Sequence, residues 1–359
     1  MSEHFNINNP SRTRVGLIGA GSIARGAHLP GFLANSDVQV VAVADPVEGR
    51  AAELANEASI ELAFTDFREM LNREDIDAVS IATPPVAHAE TTIAALESGK
   101  HVFCEKPMAM NSAEAIAMEQ AALKANRILA IDFQTRFEWD TQEARRLVTT
   151  GVLGAPHFAR ASYLRRAGVP TWGTFTSKTA NGGGALIDIG VHALDRALYV
   201  LGHPTPTSVW GATGQALGQR GEVTNRWGAW NTETYDVDDY AFAAIRFSDE
   251  MILLLECSWI LRMENPSIQQ LEISAADSGL ALNPLRLFHD RNDRHSTETF
   301  EAPDHQRPSH ELSIADFVKA VRHNTEPTVP AAHGVLITKI VDAIYKSMTE
   351  RLEVQLPEG

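Results

Sequence analysis

Hydrophobic positions recur at two different spacings along the first third of the chain. Short β-branched runs alternate with segments whose apolar residues recur at helical spacing, such as Ala51, Ala52, Leu54 and Ala55. Strands that alternate with helices are typical of an α/β fold with a doubly wound parallel sheet. The predicted strands cover residues 14–18, 38–44, 78–82, 100–104 and 128–133, and the predicted helices cover residues 22–33, 47–58, 67–71, 87–98 and 112–125.

Beyond residue 135 the pattern changes to longer, alternating strands with few helices between them. This pattern favours an α+β domain with a mostly antiparallel sheet. We therefore predict two domains, residues 1–135 and residues 136–359, and a polar loop over residues 291–308. The predicted strands cover residues 157–163, 207–214, 237–247, 251–261 and 268–275, and the predicted helices cover residues 143–150, 185–201, 314–323 and 334–348.

The charge and the cysteine content of the chain exclude several classes of protein. The 359 residues carry 31 Lys and Arg against 46 Asp and Glu, a net charge of −15. Such a surface repels nucleic acid and anionic membranes, and the sequence has no apolar run long enough to span a bilayer and no secretory signal. Two cysteines are too few for a disulfide framework or a zinc cluster. We expect a cytoplasmic protein without a bound metal.

A glycine-rich turn joins the first predicted strand to the first predicted helix. A pattern of this kind binds a dinucleotide when it lies between a strand and a helix. Its first glycine permits a tight turn, its second admits the pyrophosphate, and a small third residue lets the helix pack on the strand. The helix N-terminus then attracts the phosphates. The predicted contacts are Gly19, Gly21, Ser22, Ile23 and Ala24.

Asp45 follows the second predicted strand, where a carboxylate accepts hydrogen bonds from an adenosine ribose. The same carboxylate repels a 2′-phosphate, and the next basic residue is Arg50. The sequence therefore favours NAD over NADP. The alternative is an aspartate that only begins the turn before Pro46.

Two further loops follow strands of the predicted parallel sheet, at the edge where ligands bind in such folds. Thr83, Pro84 and His88 follow the third strand and are predicted to lie near the nicotinamide. Lys106 follows the fourth strand and is fixed there by Pro107, which cannot continue a strand. A lysine in this place can hold a developing alkoxide, although an exposed lysine in a charged turn is the alternative.

Three glycines precede a predicted helix that carries Asp188 and His192. The spacing of four places both side chains on one face of an α-helix, and the neighbouring positions are apolar. A buried histidine beside a carboxylate is suited to accept a proton near neutral pH. The alternative is a core pair with no chemical role.

Together these segments resemble the Gfo/Idh/MocA oxidoreductase family, which includes glucose–fructose oxidoreductase and inositol dehydrogenases. The motifs are GAGSIA, TPP with the later histidine, GKHVFCEKP and GGGALIDIGVHALD, and the resemblance covers nearly the whole chain. It implies an N-terminal Rossmann domain and a second domain whose open sheet supports dimers or tetramers. It also implies that Glu105 and Lys106 of the EKP motif contact the cofactor and that Lys106 contacts the substrate. His192 is then the general base, and Asp188 orients the substrate or the histidine.

The activity that the resemblance implies is hydride transfer between a nicotinamide and a secondary alcohol of a sugar, sugar derivative or cyclitol. The alternatives are an NAD-dependent glycosidase and a non-catalytic dinucleotide sensor on the same scaffold. Arg136, Arg165 and Trp172 are candidates for substrate contact, because arginine and tryptophan suit a polyhydroxylated ring, but surface arginines and a packed tryptophan are equally compatible with the sequence. The acidic surface favours an unphosphorylated substrate.

Overall fold

The computed structural model describes residues 12–221 and 223–357. Its first sheet has six parallel strands in the order β3-β2-β1-β4-β5-β6, which confirms the predicted doubly wound sheet. The reversal between β1 and β4 opens a crevice beyond the carboxyl ends of these two strands. The strands are β1 (Thr13–Ile18), β2 (Val38–Ala44), β3 (Leu62–Phe64), β4 (Ala78–Ile81), β5 (His101–Cys104) and β6 (Leu129–Ile131).

Helices connect these strands. The segment predicted as one helix over residues 22–33 contains a π-helical turn, Ala24–His28, before its last α-helical part. The helix predicted from residue 47 starts at Arg50, after the left-handed Gly49. The helices are α1 (Leu29–Leu33), α2 (Arg50–Ala58), α3 (Phe67–Leu71), α4 (His88–Glu97) and α5 (Ser112–Ala125), with 3₁₀ turns at Pro85–Ala87 and Gln134–Phe137.

The second sheet has nine strands in the order β14-β13-β12-β11-β7-β10-β9-β8-β15. Only β7 and β10 pair in parallel, so the predicted antiparallel character is confirmed for this part of the chain. The strands are β7 (Pro156–Arg165), β8 (Pro206–Gly214), β9 (Tyr240–Phe247), β10 (Ile252–Ser258), β11 (Ser267–Ala275), β12 (Gly279–Ala281), β13 (Arg286–Arg291), β14 (Arg294–Thr299) and β15 (Val354–Gln355).

One face of the second sheet packs against helices. The helix predicted over residues 185–201 contains a π-helical turn, Leu186–Gly190, that runs directly into α8. The remaining helices are α6 (Trp139–Thr149), α7 (Lys178–Asn181), α8 (Val191–Leu201), α9 (Ser309–His323) and α10 (Ala331–Glu350). No helix of the described residues is both long and apolar enough to cross a membrane.

Helix α9 belongs to the second part of the chain by sequence, but it packs on the first sheet. Its buried residues Ile314, Phe317 and Val318 share a hydrophobic cluster with residues of β1 and β2. Phe317 also contacts Phe103 of β5, with ring centroids 5.3 Å apart. The return of α9 therefore ties the two parts of the chain together beside the crevice.

The predicted loop over residues 291–308 is wrong in its first half. Strand β14 pairs with β13, and the turn between them has Asn292 and Asp293 at positive φ. Two consecutive residues of this conformation form the tight turn that matches the twist of a β-hairpin. The strand predicted from residue 237 begins only at Tyr240, because Asp238 and Asp239 accept hydrogen bonds from neighbouring loops.

Candidate active site

The glycine-rich turn lies between β1 and the helical segment that follows it. Gly19 has φ +97°, and a Cβ on it would lie 2.5 Å from the carbonyl oxygen of Ala82, so only glycine fits there. A Cβ on Gly21 would meet no atom within 4 Å, so this part of the turn faces open space. Ser22 and Ile23 border the same space and are solvent-accessible, whereas Ala24 is buried against the sheet. The turn fits a dinucleotide.

Asp45 is buried, and both of its carboxylate oxygens accept backbone hydrogen bonds. The N–H of Ala20 donates to Oδ2 at 2.8 Å, and the N–H of Val47 donates to Oδ1 at 2.9 Å. Asp45 therefore also fixes the glycine turn, a role the sequence did not suggest. The guanidinium of Arg50 lies 3.6 Å from Oδ1 of Asp45, so a basic group lies nearer to this carboxylate than the five-residue separation suggested.

The loop after β4 brings two of its predicted residues to the crevice in different ways. The hydroxyl of Thr83 is buried and has no hydrogen-bond partner, so it is available to a ligand. Pro84 precedes the 3₁₀ turn at Pro85–Ala87. His88 is fully buried, and its ring nitrogens lie 2.8 Å from the carbonyl oxygen of Pro107 and 2.9 Å from that of Thr83. Burial lowers the pKa of His88. His88 therefore links the loops that contain Thr83 and Pro107, and a direct contact with a cofactor would have to displace one of these ring contacts.

Lys106 and Asp188 form the centre of the site. The Lys106 ammonium donates to the Asp188 carboxylate oxygen Oδ1 at 2.9 Å and to its backbone carbonyl at 3.1 Å. The other oxygen, Oδ2, accepts the indole N–H of Trp259 at 2.9 Å. Burial opposes the ammonium form, but the charges of Asp188 and Glu105 outweigh it and raise the pKa of Lys106. Lys106 is thus held as a cation with a fixed direction.

His192 lies one turn beyond Asp188, and the residue is only 8% exposed. Its Nδ1 atom is buried and has no hydrogen-bond partner, which is unusual for a buried polar atom. Burial, followed by the positive charge of Lys106, holds the pKa of His192 well below its usual value. The histidine is therefore a neutral base at physiological pH. No hydrogen bond joins Nδ1 of His192 to Asp188, whose carboxylate oxygens accept from Lys106 and Trp259.

A buried network lies directly behind Lys106. Glu105 accepts the backbone N–H of Lys106 through one oxygen at 2.9 Å, and its other oxygen lies 2.9 Å from Nε2 of His28. The His28 Nδ1 hydrogen-bonds to Ser80 at 2.6 Å. Burial opposes ionisation of Glu105, but the hydrogen bond and charge of His28 outweigh it and lower its pKa to about 2. Glu105 thus anchors the Lys106 backbone rather than facing the open crevice.

Asp132 and His310 extend this network to helix α9. His310 lies 2.7 Å from one oxygen of Asp132, and Ser313 donates to the other oxygen at 2.8 Å. The ligand atoms of His28, Glu105, Asp132 and His310 lie within 4.8 Å of one another, a spacing that a metal ion could use. Hydrogen bonds already engage both carboxylates and the facing histidine nitrogens, so we interpret the cluster as a hydrogen-bonded network.

The three residues suggested for substrate contact have different surroundings. The structure does not bring Arg136 to the crevice: its side chain is 0% exposed, and its guanidinium donates twice to Asp195, at 2.6 and 3.1 Å, from the turn after β6. A buried guanidinium requires such a partner, and this one leaves it no open surface. Arg165 ends β7, and its charge contributes to the pKa of both Lys106 and His192. Trp172 is exposed in the loop after β7.

Two family models match this chain over most of its length. Residues 13–133 match the model described as "Oxidoreductase family, NAD-binding Rossmann fold", and residues 141–277 match the GFO/IDH/MocA C-terminal domain. The chain belongs to the Gfo/Idh/MocA oxidoreductase family. The first domain of this oxidoreductase is therefore an NAD-binding Rossmann domain, as the glycine turn predicted.

Relatives of this Gfo/Idh/MocA chain include several named dehydrogenases. D-glucoside 3-dehydrogenase of Escherichia coli is 38% identical over 96% of this chain and 98% of the relative. Myo-inositol 2-dehydrogenase of Thermotoga maritima is 26% identical over 96% of this chain and 99% of the relative. A solved structure of levoglucosan dehydrogenase with NADH superposes with a TM-score of 0.84 at 25% identity, covering 97% of this chain and 100% of that one.

Sequence reasoning missed two elements of this Gfo/Idh/MocA site. Trp259 is fully buried, and it fixes Asp188 by a hydrogen bond although the two residues are 71 positions apart in the sequence. Asp238 accepts the backbone N–H groups of Gly184 and Leu186, at 2.8 and 2.9 Å, and the hydroxyl of Tyr345 at 2.8 Å. Asp238 thereby holds in place the segment of three glycines, residues 182–184, that precedes Asp188. The paired aspartates 238 and 239, in front of an alternating strand, were the available signal.

Proposed function

We propose that this protein oxidises a secondary alcohol of an unphosphorylated sugar, glycoside or cyclitol with a nicotinamide cofactor. The observation that carries the proposal is the pairing of a fixed cation, Lys106, with a neutral, unpartnered histidine, His192. The names of the relatives, among them a glucoside dehydrogenase and an inositol dehydrogenase, support the same class of substrate. Because the glucoside dehydrogenase is 38% identical, we place D-glucosides first among the candidates.

The residues that would hold the cofactor are those of the turn from Gly19 to Ala24, with Thr83 on the opposite loop. When bound, the cofactor supplies a hydride acceptor. Oxidation of the alcohol removes a hydride from carbon and a proton from oxygen, and the neutral imidazole of His192 takes that proton. Lys106 donates a charge-assisted hydrogen bond to the alcohol oxygen while negative charge develops there. Asp188 keeps the ammonium in position and is itself held by Trp259.

The opposite assignment, with Lys106 as base, conflicts with the electrostatics. A raised pKa keeps Lys106 protonated, so it has no lone pair to accept a proton. A lowered pKa keeps His192 neutral, and its Nδ1 has no competing partner. The two groups therefore divide the work: the histidine accepts the proton and the lysine stabilises the oxygen.

The test is to incubate the purified protein with NAD and a panel of sugars and to record NADH absorbance. The panel contains glucose, methyl glucoside, levoglucosan and myo-inositol, and their 6-phosphates where these exist. Net NADH formation with an unphosphorylated member is the expected result. Cleavage of a glycoside without net NADH would instead establish a glycosidase. Cofactor binding with neither reaction across the panel would leave a dinucleotide sensor and overturn the proposal.

We propose that NAD is preferred over NADP, because the Asp45 carboxylate lies beside the glycine turn and repels a 2′-phosphate. Asn in place of Asp45 keeps an acceptor for one backbone N–H but removes the charge. The expected result is a fall of about tenfold or more in the NAD-to-NADP ratio of kcat/KM, from the loss of a charged hydrogen bond. Steady-state kinetics with both cofactors measures this ratio.

Asp249→Asn is the matched control for the Asp45 variant. Asp249 also accepts the backbone N–H of the residue two positions on, Met251, but it lies between β9 and β10 of the second sheet. The NAD-to-NADP ratio of kcat/KM in this control variant should equal that of the unaltered protein. A wild-type preference for NADP, which the proximity of Arg50 would then explain, contradicts the assignment.

We further propose that the open face of the second sheet joins subunits into a dimer or tetramer. Trp210 of β8 and Phe242 of β9 are 47% and 42% exposed, and their rings lie 6.0 Å apart on the face away from α10. Exposed aromatic pairs of this kind mark protein interfaces. Trp210→Glu should shift the mass measured by light scattering toward the monomer, whereas Leu33→Glu, an exposed position on α1, should leave it unchanged. A monomeric unaltered protein would contradict the proposal.

A further inference from the structure

Two loops from separate parts of the second domain meet and carry aromatic side chains, one exposed and one partly buried. One loop follows β7 and contains Trp172, and the other joins β8 to β9 and contains Trp227. The two indole rings lie 4.9 Å apart at 79°, an edge-to-face pair. Trp172 remains 45% exposed, although a side chain of this size gains free energy from burial.

The loops are held together before any ligand arrives. The side chain of Asn225 accepts the backbone N–H of Val169 at 3.1 Å and donates to its carbonyl at 2.9 Å. The hydroxyl of Thr171 donates to the carbonyl of Trp227 at 2.8 Å. The aromatic pair is therefore a fixed surface, and a ligand that stacks on it does not have to order the loops first.

A chain of aromatic contacts connects this surface to Asp188. The ring of Trp172 lies 6.1 Å from that of Phe175, which lies 6.5 Å from the ring of Trp259. Trp259 in turn donates its indole N–H to Asp188. The Trp172–Trp227 pair is thus linked through Phe175 and Trp259 to Asp188, the group that positions Lys106.

Two arginines complete the surface. The guanidinium of Arg165 lies 5.3 Å from the Trp227 ring and donates to the hydroxyl of Tyr163 at 3.0 Å. The guanidinium of Arg226 lies 3.8 Å from the same Trp227 ring. Aromatic faces stack on the C–H faces of sugar rings, and guanidinium groups donate hydrogen bonds to hydroxyls. This combination suits a neutral, polyhydroxylated ring better than an anion or an aliphatic chain.

We propose that Trp172, Trp227, Arg165 and Arg226 form a subsite for the ring that is glycosidically linked to the sugar being oxidised. The preferred substrate is then a two-ring glycoside, in which the first ring meets Lys106 and His192 and the second ring stacks on Trp172. This inference rests on the proposed oxidation of sugars, and it adds that the substrate extends beyond one ring.

The test compares kcat/KM for a two-ring and a one-ring substrate on the same enzyme. The probes are maltose and cellobiose, which cover both anomers, against methyl α- and β-glucoside, with phenyl glucoside as an arm for an aromatic second ring. The unaltered enzyme should prefer a two-ring probe by about 3- to 10-fold, the worth of one stacked ring pair. Trp172→Ala should remove that preference, and Trp172→Phe should retain most of it.

Leu123→Ala, which shortens an exposed apolar side chain on α5, is the control and should keep the preference. A preference for phenyl glucoside alone would show that the subsite binds an aromatic group, and it would contradict the proposal that the subsite binds a second sugar ring. An unchanged preference in Trp172→Ala would overturn the subsite while leaving the proposed oxidation intact. If no sugar or glycoside yields NADH in the unaltered enzyme, the proposed function itself fails, and the subsite for a second ring fails with it.

Discussion

Alanine in place of His192 should lower kcat by about 10²- to 10⁴-fold, the contribution of one positioned general base. The physical reason is the state of this imidazole: burial and the charge of Lys106 keep it neutral, and its Nδ1 has no other partner. Without it, the alcohol proton has no positioned acceptor. Single-turnover measurement of NADH formation reports the loss, and NADH fluorescence titration should show unchanged cofactor binding.

The pH dependence of the unaltered enzyme provides a second measurement of the same role. A base must be unprotonated, so kcat/KM falls as the pH drops through the pKa of His192. Because that pKa is lowered from 6.5, the acid limb should lie well below pH 6.5, with a plateau at neutral pH. The exposed histidine at position 157 offers a control, since His157→Ala should change neither turnover nor the acid limb. Full turnover in His192→Ala would remove His192 from the role of base.

The parallel sheet and the glycine turn were predictable because local sequence determines them. Five of the six strands of the first sheet were predicted from short β-branched or apolar runs, and Gly19 has a positive φ that glycine adopts readily. The same holds for the position of Lys106, which the strand and Pro107 define without reference to distant residues. Tertiary contacts do not change the local structure that such sequences favour, because the elements are short and buried.

The hydrogen bonds and ion pairs of the site could not be predicted from the sequence, because they join residues that are distant along the chain. The spacing of Asp188 and His192 suggested a mutual pair, yet Asp188 binds Lys106 and Trp259, which lie 82 and 71 positions away. Arg136 was likewise a candidate for substrate contact, but Asp195 from α8 neutralises it in the interior. The residues around Asp188 and Arg136 in the sequence do not indicate which distant side chains will pair with them.

The missed hairpin has a different cause. Strand β14 is polar and mostly exposed, so it lacks the alternation that reveals a strand with one buried face. Its only local sign is the Asn292–Asp293 turn, whose residues tolerate positive φ. An edge hairpin of this type is specified by its turn and by pairing with β13 rather than by burial.

Replacement of Lys106 by methionine should lower kcat by about 10²- to 10³-fold, the usual loss when one charged donor to a developing oxyanion is removed. Methionine keeps much of the volume of the aliphatic stem, so packing against the surrounding side chains changes little. The distinguishing result is the pH profile. Because the Lys106 charge holds the pKa of His192 down, its removal should move the acid limb of kcat/KM to higher pH.

Lys106→Arg separates the charge of this side chain from its geometry. The guanidinium keeps the positive charge, so the acid limb should stay where it is in the unaltered enzyme. Its planar fork cannot reproduce the ammonium contacts with the Asp188 carboxylate and carbonyl, so turnover should still fall. If the acid limb moved equally in both variants, or in neither, the charge of Lys106 would not be what keeps His192 neutral. The lowered pKa of His192 would then come from burial and from the other cations around it, such as Arg196 and Arg165.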